Sequence, residues 1–323
     1  MEGGVSGKEN LEVEMCGLVT IGIAMGLTAA FMHSVCYVIS GSYVKRTRLP
    51  GWTLVAPQRV VMCIPYATLA WFFRPVSYDG HGVPLLVCAL VCMMAVFLGD
   101  CGLFQMQRHV EPSRTAPLQA VKIPILAFLL AVVFGHDYTV MQIAGIFMVL
   151  VSALLLCDAG TRIPRMGWAW LFLSTGCYAV SDIAIGHALI ESRDVCGGVL
   201  KASLFILGMT HLACSLFAMP ILVAQRLTGR AIPNARQWFL YALPYGFAWL
   251  VAMIFLLVCF SLSGVVLGAV AQSCRGLMSV ALGWFLASRG FVDLEGMTTR
   301  SVFVRRAVAA LFMVIAMILY ASR

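Results

Sequence analysis

The stretch Gly264–Ala287, GVVLGAVAQSCRGLMSVALGWFLA, decides the reading of this chain. It is long enough to span a bilayer, and Arg275 sits near its centre. A cation at that depth costs about 3 kcal/mol or more, so it belongs in a bundle interior or a water-filled cavity. At helical spacing Gly268, Gln272, Arg275, Ser279 and Gly283 share one small, polar face. A second version lies 153 positions earlier, where Gln119-Ala-Val-Lys122 matches Gln272-Ser-Cys-Arg275 in another apolar span. Two midplane cations at equivalent places argue for two related halves.

Composition agrees with a chain built for lipid. Of 323 residues, 61% are hydrophobic and 11% charged, and mean hydropathy is +0.94. Soluble domains carry about 25% charged residues, so a large soluble core is excluded and a polytopic membrane protein is indicated. The net charge of +8 does not point to nucleic acid, because most Lys and Arg lie in short loops between apolar spans. Twelve cysteines contain no CxxC and no His/Cys cluster with zinc spacing. Nearly all fall inside apolar spans, where a thiol acts as a small hydrophobe. No metal and no cofactor is expected. The polar, acidic start MEGGVSGKENLEVE lacks a basic n-region, and the span after it is too long for a cleaved signal.

Ten apolar spans are expected, near 15–39, 53–73, 84–105, 113–134, 139–157, 166–190, 200–224, 238–260, 264–287 and 302–320. At 19 to 25 residues each, they can cross roughly 30 Å as helices. Short connections carry turn residues, as in Leu49-Pro50-Gly51 and Asp79-Gly80-His81-Gly82. The halves repeat with slowly drifting offsets: Gly17 onto Gly167 and Gly26 onto Gly176 at 150, and Arg59 onto His211 at 152. Phe147-Met148-Val149 meets Phe312-Met313-Val314 at 165, after a longer loop at 288–301. Five spans per half is odd, so the halves must be inverted relative to each other, an arrangement that commonly holds a substrate near the midplane. The expected organisation is a polar tail at 1–14, a first repeat at 15–157, a connecting loop at 158–165 and a second repeat at 166–323. The expected fold class is all-α integral membrane, ten transmembrane helices as two inverted five-helix repeats.

Residues 110–156, VEPSRTAPLQAVKIPILAFLLAVVFGHDYTVMQIAGIFMVLVSALLL, show a small-residue helix start at Ser113 to Ala116 and a mid-span Pro124. A short charged turn at His136-Asp137 and Gly145 in the last helix follow. In these features the chain resembles EamA-like members of the drug/metabolite transporter superfamily. The second half departs from the pattern, with Leu277 in place of the proline and a lengthened turn. The resemblance implies a ten-helix secondary transporter or exporter of small metabolites, not an enzyme. It does not specify a substrate.

Loops after odd-numbered spans carry fourteen Lys and Arg, from Lys45 to Arg306, whereas the other face carries Lys8, Arg74, Arg193, Lys201 and Arg323. The positive-inside rule then places both termini outside, although ten-helix relatives keep them in the cytoplasm. The expected setting is multi-pass, in a bacterial inner (cytoplasmic) membrane.

Charges within spans are Arg59, Lys122 and Arg275 against Asp100 and Asp182. By depth, Arg59 and Asp100 both lie near the cation-rich side, and a structural ion pair is expected. Asp182 and Arg275 differ in level by a few ångströms, which makes them a second candidate pair, structural or gated beside substrate, with Tyr178 one turn from Asp182. Lys122 is then left without a carboxylate. Such a lysine is neutral, bound to backbone carbonyls, or waiting for an anionic ligand. Gln119 and Gln272 stand one turn from Lys122 and Arg275 and could orient the same group. His33, His187 and His211 are packing residues or site residues. Tyr241, Tyr245 and Trp249 form a stripe at i, i+4, i+8 that is either core or a stacking wall.

The reading adopted is alternating access around a cavity that binds a small polar, anionic metabolite through Lys122, Arg275, Gln119 and Gln272. Asp182, Tyr178, His33, His211 and Tyr245 complete the candidate site. The lipid bilayer is the other partner, and a proton or counter-metabolite supplies the drive. Oligomeric state is left open. One alternative is an exporter of neutral or weakly basic compounds with every intramembrane charge paired; another is a non-transporting membrane receptor or assembly protein. No nucleophile–base or metal set for an intramembrane enzyme can be assembled.

Overall fold

The structure, a computed structural model, describes residues 5–47, 49, 52–78, 80–110, 112–157, 163–229, 234–290 and 300–321. Pro50, Gly51 and Asp79 of the turns, Arg48, Arg162, Arg230 and Arg323 of the charge count, residues 1–4 of the tail and 158–162 of the connecting loop lie outside the described residues. Among those described there is no strand. In lipid, a helix satisfies its own backbone hydrogen bonds, so an all-helical set of elements suits a bilayer.

The helices are α1 (Val5–Thr47), α2 (Trp52–Val61), α3 (Cys63–Phe72), α4 (Gly82–Met106), α5 (Pro112–Leu118), α6 (Lys122–Phe134) and α7 (Val140–Cys157). They continue as α8 (Arg165–Arg193), α9 (Val199–Leu227), α10 (Ala235–Gln237), α11 (Leu243–Ser263), α12 (Val265–Ser273), α13 (Arg275–Ser288) and α14 (Arg300–Ala321). Among the described residues, seven helical segments are long and apolar enough to cross a membrane. Three shorter apolar helices, Cys63–Phe72, Val140–Leu155 and Leu311–Ala321, accompany them.

Several expected spans are not single helices. The second breaks at Met62. Pro65 has no N–H for the Val61 carbonyl, and its ring crowds that oxygen. The fourth breaks at a 3-10 turn, Gln119–Val121, between α5 and α6. Pro124 does the same there to the Ala120 carbonyl. The ninth breaks at Cys274, between α12 and α13, with no proline nearby. Both cations that drew attention therefore start a half-helix: Lys122 opens α6 and Arg275 opens α13. A single residue, Gly264, separates α11 from α12, with φ +82°, a region that L side chains enter at a cost.

The helices pair as α4 along α8, α1 along α11, α7 along α14, α3 along α9 and α5 along α13. The main core lies among α1, α2, α4, α8, α9 and α11 and includes Tyr37, Leu54, Phe104, Ile206 and Leu257. Outward faces are apolar and exposed, as at Leu86, Leu90 and Met94 on α4, Phe128 and Val132 on α6, and Leu311 and Ile318 on α14. Hydrocarbon is the matching solvent for that surface.

The α3–α9 crossing brings backbone against backbone. A Cβ at Gly208 would stand 2.3 Å from the Ala70 backbone nitrogen. Gly208→Ala is expected to cost about 1–3 kcal/mol by overpacking, seen as a lower thermal midpoint in detergent. Gly176→Ala, where nothing lies within 4 Å, is the control and should melt like the parent. Equal melting of the two variants would remove the close crossing.

Candidate functional site

The polar residues of the spans converge on Trp249 of α11, which is 5% exposed. The His33 ring meets it edge-on at 5.0 Å, Tyr245 stacks on it at 6.0 Å, and Tyr178 lies 6.5 Å away. The Arg59 guanidinium stands 5.2 Å over its face. Its indole N–H donates to His211 Nε2 at 3.3 Å. Arg59 and His211 thus meet on one tryptophan.

On one side of Trp249 lies a closed ionic system. Arg59 Nη2 reaches Asp100 Oδ2 at 2.5 Å and its Nε reaches the same oxygen at 3.2 Å, and neither residue is exposed. Tyr178 Oη donates to the other oxygen at 2.6 Å, and Gln58 Nε2 adds a long contact of 3.4 Å. Tyr178 thus serves Asp100, although its place one turn from Asp182 suggested otherwise. Arg59 Nη1 has no hydrogen-bond partner.

On the other side the pairing differs from the sequence expectation. Asp182 is not paired with Arg275. Lys122 Nζ reaches Asp182 Oδ2 at 2.5 Å and Gln272 Oε1 at 3.0 Å. The reason is azimuthal: α6 packs on α8, while α13 packs on α1 and α5. Gln272 Nε2 turns to His33 Nδ1 at 3.3 Å, and that nitrogen also sits 2.9 Å from the Ala29 carbonyl. One ring nitrogen cannot accept from the amide and donate to the carbonyl together, so the two contacts are alternatives set by tautomer. Gln119 Nε2 donates to Ser174 Oγ at 3.2 Å, and its Oε1 has no partner.

Arg275 takes the place expected of Lys122. It is 5% exposed, and no carboxylate among the described residues lies within ion-pair distance. Its guanidinium lies 5.7 Å over the Tyr37 ring, and its Nε has no partner. Its carbonyl accepts from Ser34 Oγ at 3.0 Å. Gly276 brings this turn against α5, where a Cβ would stand 3.1 Å from Pro117 Cα. Three intramembrane cations and two carboxylates leave one positive charge uncompensated. Tyr245 Oη and Ser279 Oγ are also buried without partners.

A cleft of about 590 Å³ opens at the far end of α8, between α1, α6, α8, α12 and α14. Ile183, next to Asp182 in sequence, and Gly186 and His187, about one turn further on, line it, and neither Lys122 nor Arg275 does. His211 is not beside it either: it lies under Tyr66 at 5.1 Å and takes the tryptophan bond.

Sequence reasoning missed Tyr37, Ser34, Gln58 and Ser174. Tyr37 is one turn from His33, and that spacing is the signal that could have found it. The serines and Gln58 carry no signal beyond lying in apolar spans.

These features define a multi-pass integral membrane protein of helical build with charged groups buried at mid-depth. Residues 20–157 match the EamA-like transporter family, part of the drug/metabolite transporter superfamily. The matched stretch ends with the expected first repeat. No curated protein matches the chain. A solved crystal structure, described only as that of a protein, aligns over 93% of this chain and 97% of its own. Its TM-score is 0.63 at 16% identity, a likeness of fold.

Proposed function

We propose that this protein is a secondary transporter that moves a small anionic metabolite by alternating access, with ten crossings arranged as two inverted five-helix repeats. The observation that carries the substrate reading is Arg275, a buried guanidinium at a helix break with no carboxylate of the described residues in ion-pair distance. The repeat reading draws support from the helix pairing. A two-fold exchange of halves turns α1 with α11 into α8 with α4, and α1 with α13 into α8 with α6. It maps α7 with α14 and α3 with α9 onto themselves, and α5 with α13 onto α12 with α6. Every one of these pairs is packed. Broken helices at the repeat interface match the way transporters build midplane sites.

In this mechanism the substrate anion docks on Arg275, with Gln272 and Gln119 orienting it. Lys122 is held by Asp182 until substrate competes for it. The Gly186 cleft is the approach from the cation-poor face, and rocking of the halves opens the other. A proton on Asp182 or an exchanged metabolite supplies the drive. An exporter of neutral or basic compounds would need every charge paired, and Arg275 is the exception.

A metabolite library screened by thermal shift on purified protein, followed by liposome uptake of the hits, tests the reading. Carboxylates or phosphates should dominate the hits, and a list of neutral amines would reject it. Orientation is tested separately: cysteines at 45–48 and 226–236 should resist an impermeant external reagent, given fourteen basic residues on that face against five. Labelling from outside would reverse the assignment. Arg48 and residues 230–233 of these loops lie outside the described residues.

A further inference from the structure

The cation-rich ends of α1 and α4 enclose a pocket of about 360 Å³ that the transport site does not use. Val44, Lys45 and Leu49 line it from one side, and Gln107, Arg108 and His109 from the other. The two bases after α4 are exposed, while Gln107 is 4% exposed. Neither Gln107 Nε2 nor Oε1 has a hydrogen-bond partner. An unsatisfied buried amide is a cost that a ligand or water removes. A donor amide among Lys45, Arg108 and His109 is the chemistry that holds a phosphate oxyanion.

The position selects among phosphate sources. The outer face of α4 is apolar and exposed as far as Leu98. Arg108 follows ten residues later, roughly 15 Å along the helix at 1.5 Å per residue. The pocket therefore sits where a lipid-facing helix leaves hydrocarbon for headgroups. Val44 and Leu49 give it an apolar wall, which a free ion does not need. Basic pockets at helix ends on the cation-rich side suit anionic headgroups. We infer that this pocket binds the phosphodiester headgroup of an anionic phospholipid. The site is separate from the Gly186 cleft: Val19 of that cleft and Val44 stand 25 residues apart on α1, roughly 37 Å.

The test uses the full chain purified in uncharged detergent. Its thermal midpoint is followed while short-chain phosphatidylglycerol, phosphatidylcholine of equal chain length, or inorganic phosphate is added. Phosphatidylglycerol should raise the midpoint saturably, and the other two should not. In an Arg108→Gln/His109→Gln variant, exposed and so expected to fold, the half-saturating concentration should rise at least tenfold. Gln107→Leu should do the same without altering surface charge. Equal effects of the two lipids, or unchanged saturation in the double variant, would overturn the inference. A saturable rise with inorganic phosphate alone would also overturn it, making the pocket a free-ion site.

Discussion

Replacing Arg275 by Gln should abolish transport of the anionic substrate while the protein stays folded. Among the described residues the guanidinium has no carboxylate to strand, so its removal leaves no opposite charge buried there. Loss of a charge-assisted, two-pronged contact is worth roughly 3 kcal/mol, or about a hundredfold in affinity. Arg275→Lys keeps the charge and loses the planar fork and its stacking on Tyr37, so part of the activity should return only if charge alone is read. Lys122 behaves differently. Lys122→Gln leaves Asp182 buried without its cation, so lower yield is expected, and adding Asp182→Asn should restore it. That folded double variant should still bind the anion at Arg275, because the dock itself is intact. Binding and liposome uptake measured on all four proteins decide the matter. Full uptake by a folded Arg275→Gln protein would sink the anion site.

Asp100→Asn should be the most destabilising single polar change in the chain. It leaves Arg59, with no exposed surface, facing a neutral amide and Trp249. Breaking one side of such a pair costs about 3–5 kcal/mol. The Asp100→Asn/Arg59→Gln double variant should recover part of the lost thermal midpoint and yield. Tyr178→Phe removes one donor to the same carboxylate and should cost about 1.5–3 kcal/mol, less than the pair. Strictly additive losses in the Arg59–Asp100 cycle would show that the contact contributes nothing, and the structural pair would fall.

These two residues also show what hydropathy can and cannot reach. Depth along a helix is legible, because each residue adds a fixed 1.5 Å and the span edges are marked by charge. That was enough to put Arg59 level with Asp100. It was not enough for Asp182, since Lys122 and Arg275 both lie within a few ångströms of its level. Choice between them depends on rotation about the helix axis, and no residue on α8 announces which neighbour its face meets.

By itself, then, the sequence determined the all-helical membrane class and the placing of Arg59, Lys122 and Arg275 inside apolar spans. Those follow from periodicity, apolar length and the cost of charge in lipid, all of which are local. Pro65 and Pro124 explain two of the helix breaks, within spans expected to be continuous, because a missing N–H acts within one turn. Tertiary structure decided the rest: the break at Cys274 without a proline, Trp249 as the meeting point of Arg59, His33 and His211, and Lys122 rather than Arg275 on Asp182. Each depends on which faces of helices distant in sequence come together, α6 on α8 and α13 on α1. That choice is made by the packing of whole helices, to which any one polar residue adds little.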